Sequence, residues 1–332
     1  MRNTFDMNRR RLLIGAVALG AMAALPLAHT FAQEYPTGPV QIVVGYGPGG
    51  GTDTLARLIA TPLSRELGQP VVVQNLPGGG GQVGAAAMLR DGADGSVILA
   101  LNEPDLFLGT LLPSSQYAYA DLRVIMVDLK DPRVLLVRKD SDIANLDDFI
   151  VRAKSEPGKL AVSVAQGSAQ ELFAKWLFGE LGLDVRIVGY NGGGPAANAM
   201  LAGDVAATIG DDFARMNLRD ETTALFVGSE KESPRWPEAQ PLAAALKPHG
   251  VTLPSPDFLA RYGIYAVSAK FKADNPTGYE KLQKALLAAR NSPEFQEYVD
   301  KNGLADLSLG APGDEMEATL AADFAVIEKM AK

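Results

Sequence analysis

Cysteine is absent from all 332 residues, which excludes disulfides and thiolate chemistry. Histidine is nearly absent as well. His29 and His249 are the two in the chain, and only the second lies beyond residue 32. It stands in Pro248-His249-Gly250, a turn-like setting that suits a solvated side chain better than a catalytic base. No G-x-S-x-G, no H-E-x-x-H and no paired-cysteine pattern occurs, so serine-hydrolase and zinc chemistry lack their residues. Positive charge is also in deficit. The 31 Lys and Arg against 39 Asp and Glu give a net charge of -8, which argues against nucleic acid as a partner. With acid–base and nucleophile sets missing, binding without turnover is expected, with no cofactor and no metal.

The length suggests two domains or lobes, and a hydrophobic content of 47% supplies a core. The first residues read as an export leader. Arg9, Arg10 and Arg11 precede an apolar run over 12–25, which Pro26 ends too early for a membrane span. Thr30-Phe31-Ala32 is a small-x-small site that predicts cleavage after Ala32 and a periplasmic mature chain. Residues 8–14 resemble a twin-arginine signal, the alternative being an ordinary secretory leader. Without residues 1–32 the chain keeps 27 basic and 38 acidic residues, a net charge of -11.

The chain is organised around residues 40–56. Val40 to Val44 is β-branched and apolar enough for a buried strand. Five glycines follow within residues 45–51, with Pro48 among them. Thr52 and Asp53 read as N-cap residues, and Leu55, Leu58, Ile59, Leu63 and Leu67 give the helix an apolar face. Pro62 is expected to kink it. A loop without side chains ahead of a helix N-terminus leaves N–H groups and a partial positive charge pointing outward, which makes an anion site. The bland alternative is a tight turn with no ligand. A branched side chain at Gly50 is expected to obstruct such a site, and to strain it if that residue uses positive φ.

Strands at 71–75 and 96–101, with a helix near 83–90, complete a βαβαβ unit and imply a parallel sheet. Asn102 lies just beyond the third strand, where open α/β sheets place ligands. Residues 105–125 give no clear pattern. A strand at 134–137 and a helix from Asn145 to Lys154 follow, and the glycine-loop pattern then returns. Strands at 160–165, 185–188 and 205–209 alternate with helices at 171–181 and 196–201. Leu172, Trp176 and Leu177 are expected inward. The intervening loops are 166–170 and 191–195. Residues 228–257 read as surface loop with a short helix at 242–246. A return strand at 262–267 and helices at 279–290 and 316–330 close the chain.

Residues 45–50 also fit G-x-G-x-x-G, so an exported nucleotide-dependent oxidoreductase is the rival reading. Against it, Asn75 stands where a ribose-binding acid belongs, Pro48 removes a donor, and no Walker lysine follows. Asp211 and Asp212 can hold a ligand hydroxyl, an ammonium or a metal; capping the next segment is their more ordinary role.

In order along the chain, several motifs are similar to one known family. They are Tyr35-Pro-Thr-Gly-Pro-Val, Gly47-Pro-Gly-Gly-Gly-Thr-Asp53, Leu67-Gly-Gln-Pro-Val-Val-Val-Gln-Asn75, Pro77-Gly-Gly-Gly-Gly-Gln-Val-Gly84, Pro157-Gly-Lys-Leu160, Gly167-Ser168 and Tyr190-Asn-Gly-Gly-Gly-Pro-Ala196. From about Tyr35 to the C-terminus the chain resembles the Bug-type periplasmic solute receptors of tripartite tricarboxylate transporters. The resemblance implies an α/β, two-lobed periplasmic-binding-protein fold (type II-like). Each lobe is then a mostly parallel sheet flanked by helices, with the ligand in the interlobe cleft. It places lobe one at 34–137 plus 262–332 and lobe two at 138–261. It implies a monomer that captures a small organic acid and delivers it to membrane permease subunits. From lobe one the implied ligand-binding residues are Tyr46, Gly47, Gly49, Gly50, Thr52, Asp53 and Asn102. From lobe two they are Gln166, Ser168, Ala169, Gln170, Tyr190, Asn191, Gly193 and Asp211. Many members carry His where Glu171 stands and Lys where Asn191 stands. Those departures weigh against a citrate-like ligand and toward a monocarboxylate, an aromatic acid or a polar neutral compound.

Overall fold

The computed structural model describes residues 35–255 and 258–331; the leader and its cleavage site lie outside them. Strand β1 (Val40–Val44) is flanked by β2 (Val71–Asn75) and β3 (Val97–Glu103), both parallel to it. Four of the five β1 residues are buried, as a central strand covered by helices requires. β2 alternates between half-buried and exposed, the signature of an edge. Helix α1 (Gly51–Leu67) buries Leu55, Ile59 and Leu63 and ends on left-handed Gly68. It runs as one element through Pro62, which is buried. Its N-cap is Gly50; Thr52 and Asp53 lie inside the first turn and are not the cap. Helix α2 (Gln82–Asp91) joins β2 to β3.

The segment without a sequence pattern holds helix α3 (Asp105–Thr110) and strand β4 (Leu122–Asp131). β4 carries Arg123, Asp128 and Lys130 among its apolar residues, and these mask its alternation. The chain then passes through Pro132 into β5 (Arg133–Arg138), which pairs in a second sheet with β8 (Ala207–Asp211) and β9 (Thr222–Val227). Residues 134–137 therefore do not belong to the first sheet, as the expected boundary had it. Two charged residues flank Pro132, and the break in composition falls there rather than after Val137.

The second sheet continues with α4 (Leu146–Ser155), β6 (Ala161–Ala165), α5 (Ala169–Glu180), β7 (Arg186–Tyr190), α6 (Gly193–Ala202), β8 (Ala207–Asp211), β9 (Thr222–Val227), β10 (Gln240–Pro241) and α7 (Leu242–Leu246). Its order is β10-β9-β5-β8-β6-β7. In α5 the large side chains that are fully buried are Phe173 and Leu177, while Leu172 and Trp176 are half-buried. Strand β11 (Arg261–Ser268) returns to the first sheet between β3 and β4, antiparallel to both. Helices α8 (Ala269–Asp274), α9 (Pro276–Arg290) and α10 (Pro293–Lys301) and strand β12 (Ser308–Pro312) follow. The first sheet thus reads β12-β4-β11-β3-β1-β2. Both sheets are mixed. The parallel halves carry the glycine loops, and the antiparallel strands carry the crossings.

The closing helix α11 (Gly313–Ala331) departs from the expected division. Leu320 packs in the core of the first sheet, whereas Ile327 packs in that of the second. Phe324 stacks on Phe107 at 4.0 Å. A helix of 19 residues is about 28 Å long at 1.5 Å per residue, enough to span both cores.

Phe271 is fully buried and meets Tyr35 and Tyr279 at centroid distances of 4.9 and 6.4 Å. Gly95 lies so close that a Cβ there would be 2.5 Å from the ring. Phe271→Ala leaves a cavity that this packing cannot close. We expect it to lower unfolding free energy by about 3–5 kcal/mol in a urea titration.

Candidate functional site

The first glycine loop is held from beneath. Asp53 is buried and accepts from the Gly49 N–H at 2.9 Å, from Arg57 Nε at 3.1 Å and from Asn75 Nδ2 at 2.9 Å. Burial works against ionisation, yet these three donors hold its carboxyl below the ordinary range. Asn75 also donates to the Tyr46 carbonyl at 3.0 Å. The residue that counted against a ribose site is thus a clasp for the loop. Gly47, Gly49 and Gly50 remain exposed above it. Gly50 has φ -81 and room for a side chain; the left-handed residue is Gly49, at φ 80. The strain expected at Gly50 therefore belongs to Gly49.

Thr52 and Asn102 meet at the end of the first sheet, where the Thr52 hydroxyl donates to Asn102 Oδ1 at 3.1 Å. Arg261 Nη1 reaches the same oxygen at 3.3 Å. Tyr46 turns its hydroxyl to Asp105 Oδ2 at 2.7 Å. The other oxygen of Asp105 accepts from the Ala169 N–H at 2.8 Å. Asp105 follows the first sheet and Ala169 opens α5 against the second, so this carboxylate joins the two halves. A Cβ on Gly80 would stand 3.3 Å from the Gly167 carbonyl oxygen, so the halves are in close approach there too. Burial raises the Asp105 carboxyl, and Arg133, the Ala169 N–H and Tyr46 oppose the rise.

In the turn before α5, Ser168 is the N-cap: its hydroxyl accepts from Gln170 N–H at 3.2 Å and donates to the Ala165 carbonyl at 2.7 Å. Gln170 is buried and donates to Asp211 Oδ2 at 3.2 Å. Gln166 is exposed. In the second glycine loop Gly192, at φ 101, caps α6, Asn191 is exposed, and Tyr190 packs against the cluster that contains Trp236.

Asp211 does not cap. It is buried in an ion pair with Arg133, its cross-strand neighbour, and lies 3.6 Å from Arg261 Nε. Asp212 pairs with Arg235. The turn after β8 is capped instead by Asp131, which accepts from the N–H groups of Phe213 and Ala214 at 2.8 and 3.2 Å. Asp131 in turn pairs with Arg261. Burial pushes the Asp131 carboxyl up against the pull of that guanidinium. Asp131, Arg133 and Arg261 sit at the two crossings between sheets, and Arg133 Nε donates to the Leu259 carbonyl at 2.6 Å, tying one crossing to the other.

The two glycine loops meet the segment that Asp131 caps. A Cβ on Gly51 would lie 3.6 Å from Ala214, Phe213 and Arg261. A Cβ on Gly193 would overlap the Arg215 guanidinium. Sequence reasoning missed Asp105, Asp131, Arg133, Arg215 and Arg261. The available signal was a charge where an apolar strand meets a crossing: Asp131 closes β4, and Arg133 and Arg261 open β5 and β11.

The family described as the tripartite tricarboxylate transporter family receptor matches residues 55–311 of the chain. The chain belongs to this receptor family. BugT of Bordetella pertussis is 35% identical over 260 residues, covering 75% of this chain and 78% of BugT. A UPF0065 protein of Pseudomonas sp. is 30% identical, covering 92% of this chain and 89% of that protein. Rpa4515 of R. palustris, solved with adipate, superposes with a TM-score of 0.77 at 25% identity, over 90% of this chain and 97% of that one. MatC of Rhodopseudomonas palustris, solved with bound malate, gives 0.76 at 20% identity, over 90% and 100%. The chain is thus a two-lobed solute-binding receptor and not an enzyme, and the oxidoreductase reading of the glycine loop falls.

Glu103, beside the receptor's Asn102, is fully buried. Burial pushes its carboxyl from 4.5 up to about 8, although Tyr119 Oη at 2.8 Å and Phe107 N–H at 3.2 Å both donate to it. The folded protein holds this proton where an unfolded Glu has lost it. Its stabilising effect is complete below pH 4.5 and fades as the pH climbs to about 8. Glu103→Gln should remove that slope. Between pH 5 and 8.5 wild type should lose on the order of 3–5 kcal/mol that the variant keeps, read from denaturant titrations at both pH values.

Proposed function

We propose that this receptor captures a small organic acid in the cleft and delivers it, as a monomer in the periplasm, to membrane permease subunits. Lobe one would be 35–131 with 261 onward, and lobe two 133–259, with α11 bridging them. The observation that carries the reading is the convergence of two helix N-termini, α1 behind Gly49 to Gly51 and α6 behind Gly192, on the segment that follows Asp211. Helix N-termini present N–H groups and a partial positive charge to an anion. The net charge of -8 cannot draw an acid in from a distance, so local donors must hold it. Rpa4515 and MatC were solved with adipate and malate, which are carboxylates of this kind. Solute in the cleft would shift an open–closed equilibrium toward the closed form.

A thermal-shift and calorimetric screen of carboxylates of two to ten carbons, with mass spectrometry of the recovered compound, tests this. A bound acid at a hundred times its Kd should add about 2.7 kcal/mol of stability and be recovered unchanged. Conversion of the acid, or no stabilisation by any carboxylate, would refute the reading.

A further inference from the structure

Arg215 is 8% exposed, and its Nε has no hydrogen-bond partner. Its Nη1 donates to the neighbouring Ala214 carbonyl at 3.1 Å, and no carboxylate pairs with it among the described residues. The acids around it are already engaged, Asp211 by Arg133 and Asp131 by Arg261. An unpaired buried cation costs stability, so a fold does not keep one for its own packing. The guanidinium lies against Gly193, the first residue of α6, where a Cβ would displace it. Guanidinium and helix N-terminus therefore converge on one place, and both favour an anion.

At the N-terminus of α5 the corresponding place is filled. The Ala169 N–H already holds the chain's own carboxylate, Asp105. A second ligand carboxylate there would meet a like charge and an occupied donor.

We infer that Arg215, with the N-terminus of α6, receives the carboxylate of the solute, and that Asp105 takes the place of a second one, so that this receptor selects monocarboxylates over dicarboxylates. This rests on the proposed function above.

The test compares wild type, Arg215→Met and Arg215→Gln in thermal shift and calorimetry against acetate, pyruvate, benzoate, malate and adipate. Wild type should be stabilised by at least one monocarboxylate and at least tenfold more weakly bound by malate and adipate. Both variants should weaken that monocarboxylate a hundredfold or more. Arg215→Met should meanwhile melt higher than wild type without any acid, because it removes an unpaired buried charge; a merely structural arginine would make it melt lower. Dicarboxylates binding wild type as tightly as monocarboxylates, or Arg215 variants that keep their affinity, would overturn the inference and leave the receptor reading standing. No response to these five or to any other carboxylate of two to ten carbons would overturn both.

Discussion

Two buried ion pairs hold the crossings between the sheets, and the site depends on them. Asp131 pairs with Arg261 and Asp211 with Arg133, each pair cross-strand and each almost without solvent. Removing one partner of such a pair strands a charge and costs about 3–5 kcal/mol, so neither pair is easily broken. Their geometry also has consequences beyond stability. Asp131 caps the turn that begins at Phe213, and this turn carries Arg215 to the second glycine loop. Arg261 reaches Asn102, which Thr52 of α1 also contacts. The same charges that join the sheets therefore position the donors of both halves.

The glycine loops supply a different kind of electrostatics. Their N–H groups carry no net charge and need no counter-ion when the cleft is empty. Clasping by Asp53 and Asn75 keeps the first loop in one shape, while the exposed residues above remain bare backbone. Preorganised donors of this kind bind an anion without reordering themselves. Asp105 fits the same logic from the other side, because a carboxylate on α3 uses one helix N-terminus to draw the halves together.

Both glycine loops and the βαβαβ order of the first sheet were legible because each depends on neighbours in sequence; Asn102, expected just beyond the third strand, lies buried within it because the strand runs on to Glu103 against β11. The ten-residue strand β4 was not, since Asp128 breaks its apolar pattern and finds its ion-pair partner in Arg290, far along the chain. Thr52 and Asp53 suggested a cap from residue type alone, whereas three glycines before them let the helix start earlier, at Gly51. Asp211 suggested a cap or a ligand contact by residue type, but it closes β8 and its partner Arg133 lies 78 residues away.

The sequence by itself determined the absence of thiol chemistry, the two glycine loops and the family motifs that run through the chain. Those are matters of composition and short-range order. Tertiary structure alone decided which charges are paired. Arg133, Arg215 and Arg261 look alike in the sequence, and folding gives the first and last a carboxylate and, among the described residues, pairs Arg215 with none. Pairing depends on which strands become neighbours and on how deeply each charge is buried, and residue type specifies neither.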